Sequence, residues 1–212
     1  MKKKTFLIFK RVFDIIVSFI ALLILAIPMF IVAILIKIED GSPVIYKQTR
    51  IGKNLKPFYI YKFRTMKTER TELESDLTHE EMVTRVGRIL RKTSIDELPQ
   101  LINILKGEMS FVGPRPWIEE YYVWFTDEQK RRSDVRPGIT GLAAVKGRNG
   151  INIFKKINYD IEYVDNMSLW LDIKIFWWSV IEVFKKTNAE ISEDGIKDEL
   201  TDLKEQNEKV DI

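Results

Sequence analysis

An uninterrupted apolar segment near the N-terminus constrains this chain more than any other feature. Residues 15–36 run for 22 positions without one charged side chain. At about 1.5 Å per residue, a helix of that length reaches about 33 Å, which matches a bilayer hydrocarbon core of about 30 Å. The overall composition, 45% hydrophobic and 31% charged, hides this concentration. A wholly soluble, evenly mixed domain is therefore disfavoured.

The segment is predicted to be a permanent membrane anchor. The hydrophobic region of a signal peptide spans about 7–15 residues and ends at small residues, whereas this run continues into a charged stretch at 37–40. Pro28 interrupts its backbone hydrogen bonding, and both flanks are rich in Lys and Arg, which favour the cytoplasmic side. We expect a re-entrant helix that is broken at Pro28 and leaves by the face it entered. A kinked single span with the N-terminus outside is the alternative.

Residues 168–186 form a second lipid-facing candidate. Their sequence, SLWLDIKIFWWSVIEVFKK, predicts a helix with a wide aromatic-rich face and a narrow polar stripe. The stripe contains Asp172, Ser179, Glu182 and Lys186. Trp and Lys together are typical of a membrane interface, so we expect an interfacial amphipathic helix. A core helix of the soluble domain is the alternative.

Between these segments the sequence predicts a small α+β domain. Residues 44–66 are rich in β-branched and aromatic side chains on both sides of the turn signal Gly52-Lys53-Asn54, which indicates a β-hairpin. Residues 68–92 are highly charged, with apolar positions at helical intervals, and predict one or two helices. The sole histidine, His79, lies in this charged stretch, so a Ser-His-Asp triad is disfavoured. Cysteine is absent, which excludes disulfides, thiolate catalysis and cysteine metal sites.

The net charge of +3 is divided unevenly along the chain. Residues 188–212 contain nine acidic and three basic side chains, so residues 1–187 carry +9. A basic body can bind phosphates on lipids, nucleotides or nucleic acid. Nucleic acid is disfavoured because the basic residues are dispersed among loops beside a membrane anchor. We therefore divide the chain into a membrane segment (1–40), a domain carrying the site (41–187) and an acidic, disordered tail (188–212).

Arginine-bearing loops follow a pair of adjacent carboxylates. Asp96 and Glu97 lie in the stretch SIDELPQ, and the loops after them carry Arg115, Arg136 and Arg148 beside proline or glycine. Such neighbours restrict the backbone, and a guanidinium can make forked hydrogen bonds to phosphate. Because the chain has no P-loop and no GxGxxG, these side chains predict an anion site, with the carboxylates as nucleophile or metal ligands. The alternative is that the two carboxylates only cap a helix.

A series of motifs occurs in a characteristic order along the chain. They are Lys10-Arg11-Val12-Phe13-Asp14, the proline-broken apolar helix, Tyr61-Lys62-Phe63-Arg64-Thr65-Met66, Asp96-Glu97-Leu98-Pro99-Gln100, residues 110–116 and residues 136–141. Over about residues 6–187 this order of motifs closely resembles that of the bacterial sugar transferase family. Members of this family are small monotopic phosphoglycosyl transferases. The resemblance implies a mostly helical α+β fold with a re-entrant membrane helix, a β-hairpin and interfacial helices.

The resemblance also implies a reaction and a site. The reaction is the transfer of a sugar-1-phosphate from a UDP-sugar to undecaprenyl phosphate, with release of UMP and with Mg²⁺ as cofactor. Asp96 is the implied nucleophile and Glu97 its assistant, and both are assigned as metal ligands. Phosphate or nucleotide binding is extended to Lys62, Arg91, Arg115, Arg136 and Arg148, each of which has a structural ion pair as its alternative role.

The resemblance further implies a location and partners. The family works at the bacterial inner membrane with its catalytic domain on the cytosolic face, in contact with membrane lipids. A homodimer is compatible with the sequence. The alternative from another functional class is a membrane-anchored scaffold or binding protein that keeps the fold without the chemistry.

Overall fold

A computed structural model describes residues 3–68, 78, 80–147, 151–185 and 201–204. His79, Arg148 and most of the acidic tail lie outside the described residues. The elements in chain order are α1 (Lys3–Asp40), β1 (Ile45–Ile51), β2 (Pro57–Phe63), α2 (Arg85–Thr93), α3 (Gln100–Lys106), β3 (Ser110–Val112), α4 (Glu119–Tyr122), α5 (Asp127–Lys130), β4 (Gly138–Thr140), α6 (Leu142–Lys146), α7 (Ile153–Asn166) and α8 (Leu169–Lys185). The predicted class, mostly helical with a small hairpin, is confirmed.

Two small sheets are present in the described part of the chain. Strands β1 and β2 form the predicted antiparallel hairpin, with Ile45 opposite Phe63 and Ile51 opposite Pro57. At the turn, Asn54 adopts a left-handed conformation with φ of 56°. The second sheet is a parallel pair, β3 and β4, which the sequence did not predict. Strands of three residues are too short to show an alternating pattern.

Helix α1 lies along the body of the protein and contacts it near both ends. Near its start, the Lys10 Nζ is 2.5 Å from Asp172 Oδ2 on α8. At its end, Asp40 Oδ2 is 3.0 Å from the Arg64 Nη2, and Glu39 accepts hydrogen bonds from the first backbone amides of α2. Between these ends, apolar residues of α1 pack on the body: Ala21, Leu22, Leu25, Met29, Val32 and Ala33. The helix is thus attached over most of its length.

The outward faces of α1 and α8 are largely apolar, and several of their polar residues point inward. Asp14 and Ser18 of α1 are buried, and Asp14 accepts a hydrogen bond from the Phe111 backbone amide at 3.2 Å. On α8, Asp172 accepts one from the Tyr163 hydroxyl at 2.7 Å. Among the described residues, α1 is the one helix long and apolar enough to cross a membrane. This arrangement supports membrane association and reverses the pattern of a water-facing helix.

Helix α8 is not a core helix of the soluble domain. Its Ile175 is fully buried, but its aromatic face is open, with Trp170 66% and Trp177 60% exposed. Two residues of the polar stripe noted in the sequence face the body, because Asp172 contacts Lys10 and Ser179 contacts Thr140. The exposed aromatic face of α8 therefore fits the prediction of an interfacial helix.

The body has its own apolar core behind these two helices. One cluster joins α7 and α8 to the parallel strands through Val112, Leu142, Tyr163, Val164 and Ile175. Another joins α4 to α7 through Tyr121, Phe125, Ile153 and Ile157. Residues 201–204 of the acidic tail form a helical turn, and Leu203 is buried in this second cluster. That part of the tail packs on the body.

Candidate active site

The Asp-Glu pair lies on a short turn between two helices. Helix α2 begins at Thr84, whose hydroxyl accepts a hydrogen bond from the Gly87 amide at 2.9 Å, and ends at Ser94 in a left-handed conformation. The chain then forms one 3-10 turn, Ile95–Glu97, before it enters α3. Asp96 and Glu97 are both partly exposed on this turn. The reversal at Ser94 therefore presents two adjacent carboxylates at the surface.

A close approach of backbones fixes the start of this unit. A Cβ atom on Gly87 would lie 2.1 Å from the Thr65 carbonyl oxygen, which is closer than non-bonded atoms allow. Thr65 follows strand β2, and its carbonyl also accepts the Thr84 amide at 3.0 Å. Helix α2 is thus held tightly against the end of the hairpin, which fixes the turn carrying the carboxylates relative to β2.

Glu97 is held between two cations from separate elements. Its Oε1 accepts hydrogen bonds from the Lys62 Nζ on β2 at 2.9 Å and from the Arg115 Nη2 at 2.8 Å. Burial alone would raise the pKa of Glu97, but the charges of Arg115 and Lys62 outweigh it and hold the pKa well below its usual range. Glu97 is consequently ionised, so its carboxylate accepts hydrogen bonds and has no proton to donate.

Asp96 belongs to the same electrostatic cluster. The charge of Glu97 raises the pKa of the Arg115 guanidinium against the opposing effect of burial. The charge of Asp96 also raises this pKa, by a smaller amount. The Arg115 side chain is 54% exposed while it contacts Glu97. The guanidinium therefore keeps donors that a ligand can reach. The structure thus brings together Asp96, Glu97, Lys62 and Arg115.

The loop that carries Arg115 is positioned by the parallel strands. The Gly113 amide donates to the Thr140 carbonyl at 2.9 Å, and a Cβ on Gly113 would lie 2.4 Å from the Arg136 carbonyl oxygen. A Cβ on Gly138 would lie 2.2 Å from the Gly113 nitrogen. The glycines of the two proline-arginine motifs therefore allow their backbones to cross at close range, which is a packing requirement rather than ligand binding.

A buried ion pair, which the sequence did not predict, holds the same loop. The Arg132 Nη2 donates to the Arg115 carbonyl at 2.7 Å and to Asp160 Oδ2 at 2.6 Å. The guanidinium lies 4.3 Å from the Trp117 ring centroid, and both charged side chains are almost completely buried. One signal was available: Asp160 follows Ile153 and Ile157 on the buried face of α7.

Arg136 and Arg91 make different contacts from Arg115. The Arg136 Nε donates to the Gly107 carbonyl at 2.8 Å, at the end of α3 where Arg11 donates to the Ile104 and Leu105 carbonyls. Cations at this position satisfy carbonyls that the helix leaves free. Arg136 also lines a small cavity with Arg11 and Asp14. The described contacts of Arg136 thus lie with α1 and α3.

The Arg91 Nε donates to the Thr65 hydroxyl at 2.9 Å, on the same side of α2 as the hairpin end. Arg148 lies outside the described residues. Pro28 is exposed inside α1, which continues as one helix from Lys3 to Asp40, so the break expected at Pro28 is not present. Of the predicted phosphate-binding residues, the structure places Lys62 and Arg115 against Glu97. The described hydrogen bonds of Arg91 and Arg136 go to the Thr65 hydroxyl and the Gly107 carbonyl.

The carboxylates fit a magnesium ion only as part of a larger ligand set. In the described part of the chain, no group of three or more acidic, histidine or cysteine side chains is arranged to hold a metal. Mg²⁺ is usually bound by one or two carboxylates together with substrate phosphates and water. Asp96 and Glu97 therefore suit a Mg²⁺ ion whose remaining ligands come from a bound diphosphate.

Comparison with known proteins identifies relatives over nearly the whole chain. The model of the family described as "Bacterial sugar transferase" matches residues 5–186. The chain is 45% identical to "Uncharacterized sugar transferase EpsL" of Bacillus subtilis, over 84% of this chain and 88% of EpsL. It is 40% identical to a "UDP-glucose:undecaprenyl-phosphate glucose-1-phosphate transferase" of Caulobacter vibrioides, over 85% of this chain and 71% of that protein.

A further relative is considerably longer than this chain. The "Undecaprenyl-phosphate galactose phosphotransferase" of Salmonella typhimurium is 38% identical over 89% of this chain, but the match covers 43% of the Salmonella protein. The chain thus spans less than half of that relative and most of EpsL.

Proposed function

This chain belongs to the bacterial sugar transferase family and is an enzyme, and on that premise we propose that it transfers a sugar-1-phosphate from a UDP-sugar to undecaprenyl phosphate. UMP is the second product. The relatives from Caulobacter and Salmonella, which carry undecaprenyl-phosphate in their names, support this choice of acceptor. The reaction would be the first membrane step in the assembly of a glycoconjugate.

The observation that carries the proposal is the position of Glu97 between Lys62 and Arg115, next to Asp96. The two cations offset the charges of Glu97 and Asp96, so the four side chains together are neutral, and a bound Mg²⁺ would supply the excess positive charge that attracts a diphosphate. Asp96 would then lie next to the field that a phosphorus centre needs. An anionic nucleophile can attack an anionic diphosphate only when such a field offsets the repulsion.

The proposed chemistry has two displacements at one phosphorus atom. An Asp96 carboxylate oxygen forms a bond to the sugar-linked phosphorus, the bond to the bridging oxygen breaks, and UMP leaves with the electron pair. An oxygen of undecaprenyl phosphate then attacks the same phosphorus and restores the Asp96 carboxylate. Neither step needs a proton donor, which agrees with an ionised Glu97. The soluble donor and the lipid acceptor can thus use one pocket in turn.

Mg²⁺ is proposed to bind at Asp96 and Glu97 together with the donor diphosphate. When bound, it supplies charge that offsets the phosphate oxygens. Lys62 and Arg115 hold Glu97 in place and orient its carboxylate for this role. Their own charges also favour an anionic ligand near the turn.

We propose that α1 enters and leaves the membrane by the cytosolic face of the bacterial inner membrane. Support comes from its contacts with the body near both ends, at Lys10 and at Asp40. A helix that spanned the bilayer would hold these two ends on opposite sides of about 30 Å of hydrocarbon. The outward apolar faces of α1 and α8 would then meet lipid, and the acceptor would reach Asp96 at headgroup depth.

Turnover is the direct test of this function. Purified full-length chain would be incubated with a panel of UDP-sugars, Mg²⁺ and undecaprenyl phosphate, with UMP as the readout. We expect at least one sugar to give many UMP molecules per chain, and only when undecaprenyl phosphate is present. Folded protein that releases no UMP with any sugar would instead support a membrane-anchored scaffold without chemistry.

A further inference from the structure

Arg50 is a partly buried arginine whose charge is not neutralised in the described part of the chain. It lies near the end of β1, and its Nη2 donates to Gln48 Oε1 at 2.6 Å. Its Nε is buried and has no hydrogen-bond partner among the described residues. An arginine has five N–H donors, and a buried donor without a partner is costly. The hydrogen-bond donors of Arg50 are therefore only partly satisfied by the described residues.

The charged neighbours of Arg50 increase this cost. Burial lowers the pKa of Arg50, and the next largest effect is the like charge of Arg115, which also lowers it. Glu120 acts in the opposite direction but more weakly, and no ion pair joins it to Arg50 within the described ranges. Two arginines on hydrogen-bonded segments, one of them with a buried unpaired donor, form a site that an anion would complete.

Strand register places Arg50 on the same face as the candidate active site. Tyr46, Gln48 and Arg50 alternate along β1 and therefore share one face of the hairpin. Tyr46 is paired with Lys62, which binds Glu97. Arg50 lies four residues from Tyr46, or about 13 Å at about 3.3 Å per residue. Arg115 connects the two regions, because it contacts Glu97 and because its loop is hydrogen-bonded to the end of β1, where the Ile51 amide donates to the Trp117 carbonyl at 2.9 Å.

We propose that Arg50 and Arg115 together bind the nucleotide-side phosphate of the donor, which leaves as UMP. This inference rests on the proposed function and assigns Arg50 to the same site. Arg115 is the arginine shared with Glu97, whereas Arg50 is farther along the strand from the reacting carboxylate. When the bond to the bridging oxygen breaks, that oxygen stays on UMP with the electron pair, and the leaving phosphate gains negative charge. Arg50 would stabilise this charge.

The test compares UMP binding and thermal stability in full-length protein. Arg50→Met keeps an unbranched side chain but removes the charge, and Arg88→Met makes the same change at an exposed position on α2. We expect Arg50→Met to raise the Kd for UMP about tenfold or more, as expected when hydrogen bonds to a charged group are lost. Its Tm without UMP should be equal to or higher than that of the wild type, because an unsatisfied cation is removed. Arg88→Met should change neither value.

Two results would overturn the proposal. One is UMP binding by Arg50→Met that matches the wild type. The other is a lower Tm without UMP that accompanies weaker binding, because it would assign Arg50 to the fold.

Steady-state kinetics of Arg50→Met distinguish the two phosphate ligands. KM for the UDP-sugar should rise and KM for undecaprenyl phosphate should not. The reverse would place Arg50 at the acceptor and would also overturn the proposal. Wild-type protein that binds UMP through Arg50 but never turns over UDP-sugar would refute the proposed function alone.

Discussion

Glu97 owes its lowered pKa to two residues that are far away in sequence. Lys62 arrives from the hairpin and Arg115 from the loop after β3, and both contact the same carboxylate oxygen. The local sequence around Glu97 contains an acidic neighbour, which by itself would raise the pKa. The charge of this residue is thus decided by tertiary contacts and not by its motif.

The lowered pKa of Glu97 predicts how its contribution to stability depends on pH. The ionised form is favoured in the folded state, so this contribution is complete above the ordinary pKa of 4.5 and is lost as the pH falls below it. We expect Glu97→Gln to have a lower Tm than the wild type at neutral pH and this difference to shrink in acid below pH 4.5. Thermal unfolding across pH measures it. A difference that grows in acid would contradict the assigned charge.

The Arg132–Asp160 pair predicts a large loss of stability when one partner is changed. Both side chains are nearly inaccessible, so Asp160→Asn leaves a buried cation without its counter-charge. We expect a loss of about 3–5 kcal/mol in the free energy of unfolding, and the double change Arg132→Met with Asp160→Leu should recover much of it. Urea denaturation measures both variants. Arg131→Gln is the matched control, because its ion pairs are exposed and should matter little.

The sequence identified the residues whose motifs are local and missed those whose partners are distant. Asp96, Glu97, Lys62 and Arg115 were all named from their motifs before the structure placed them together. Arg132 was missed because its partner Asp160 is 28 positions away. Its role depends on how α7 packs against the loop after β3. Arg50 was counted only as part of a basic flank for a similar reason.

The elements were predictable where their pattern was long. Helix α1 follows from its long apolar run, the hairpin from its turn signal and β-branched residues, and α8 from its helical periodicity. Helices α1 and α8 were also predicted to face lipid. Whether their polar residues point toward the body or away from it was not predictable, because periodicity identifies a polar face of a helix but not what that face packs against. Asp14 and Asp172 point inward since the body supplies their hydrogen-bond donors. The parallel strands β3 and β4 depend on contacts between segments about 28 residues apart, as between Ser110 and Gly138.

The topology of α1 can be tested with single cysteines, since the natural chain has none. Thr5→Cys lies before the apolar run, and Asp127→Cys lies on the exposed surface of α5. If α1 is re-entrant, a membrane-impermeant thiol reagent should label both positions from the same side of sealed inverted vesicles. Wild-type protein is the unlabelled control. Labelling of the two positions from opposite sides would mean that α1 spans the membrane.

At the scale of the whole molecule, α1 and the body behave as one packed unit. Residues of α1 contribute to two of the apolar clusters, one around Leu101 and Ile104 and one around Phe63 and Leu90. Removing the helix would expose these clusters to water, with a cost that scales with the apolar area uncovered. Helix α1 is therefore part of the folding unit.

This packing predicts different outcomes for two truncations in detergent. A chain that begins at residue 41 should lose cooperative unfolding, because the clusters that α1 covers would be open. A chain that ends at residue 187 should still unfold cooperatively but at a lower Tm, since Leu203 leaves its buried position. Circular dichroism melts measure both. A cooperative melt of the first truncation at the wild-type Tm would show that α1 is only an anchor.

Asp96 is proposed to carry the phosphosugar between donor and acceptor. The most direct measurement is mass spectrometry of the chain after incubation with the active UDP-sugar and Mg²⁺ but no acceptor, beside Asp96→Asn and the exposed control Asp127→Asn. We predict one sugar phosphate attached at Asp96 in the wild type and in Asp127→Asn, with an equivalent amount of UMP. Asp96→Asn should still fold, with a cooperative thermal melt, but should give neither adduct nor UMP. Wild-type turnover by Asp96→Asn, or an adduct at another residue, would contradict the account.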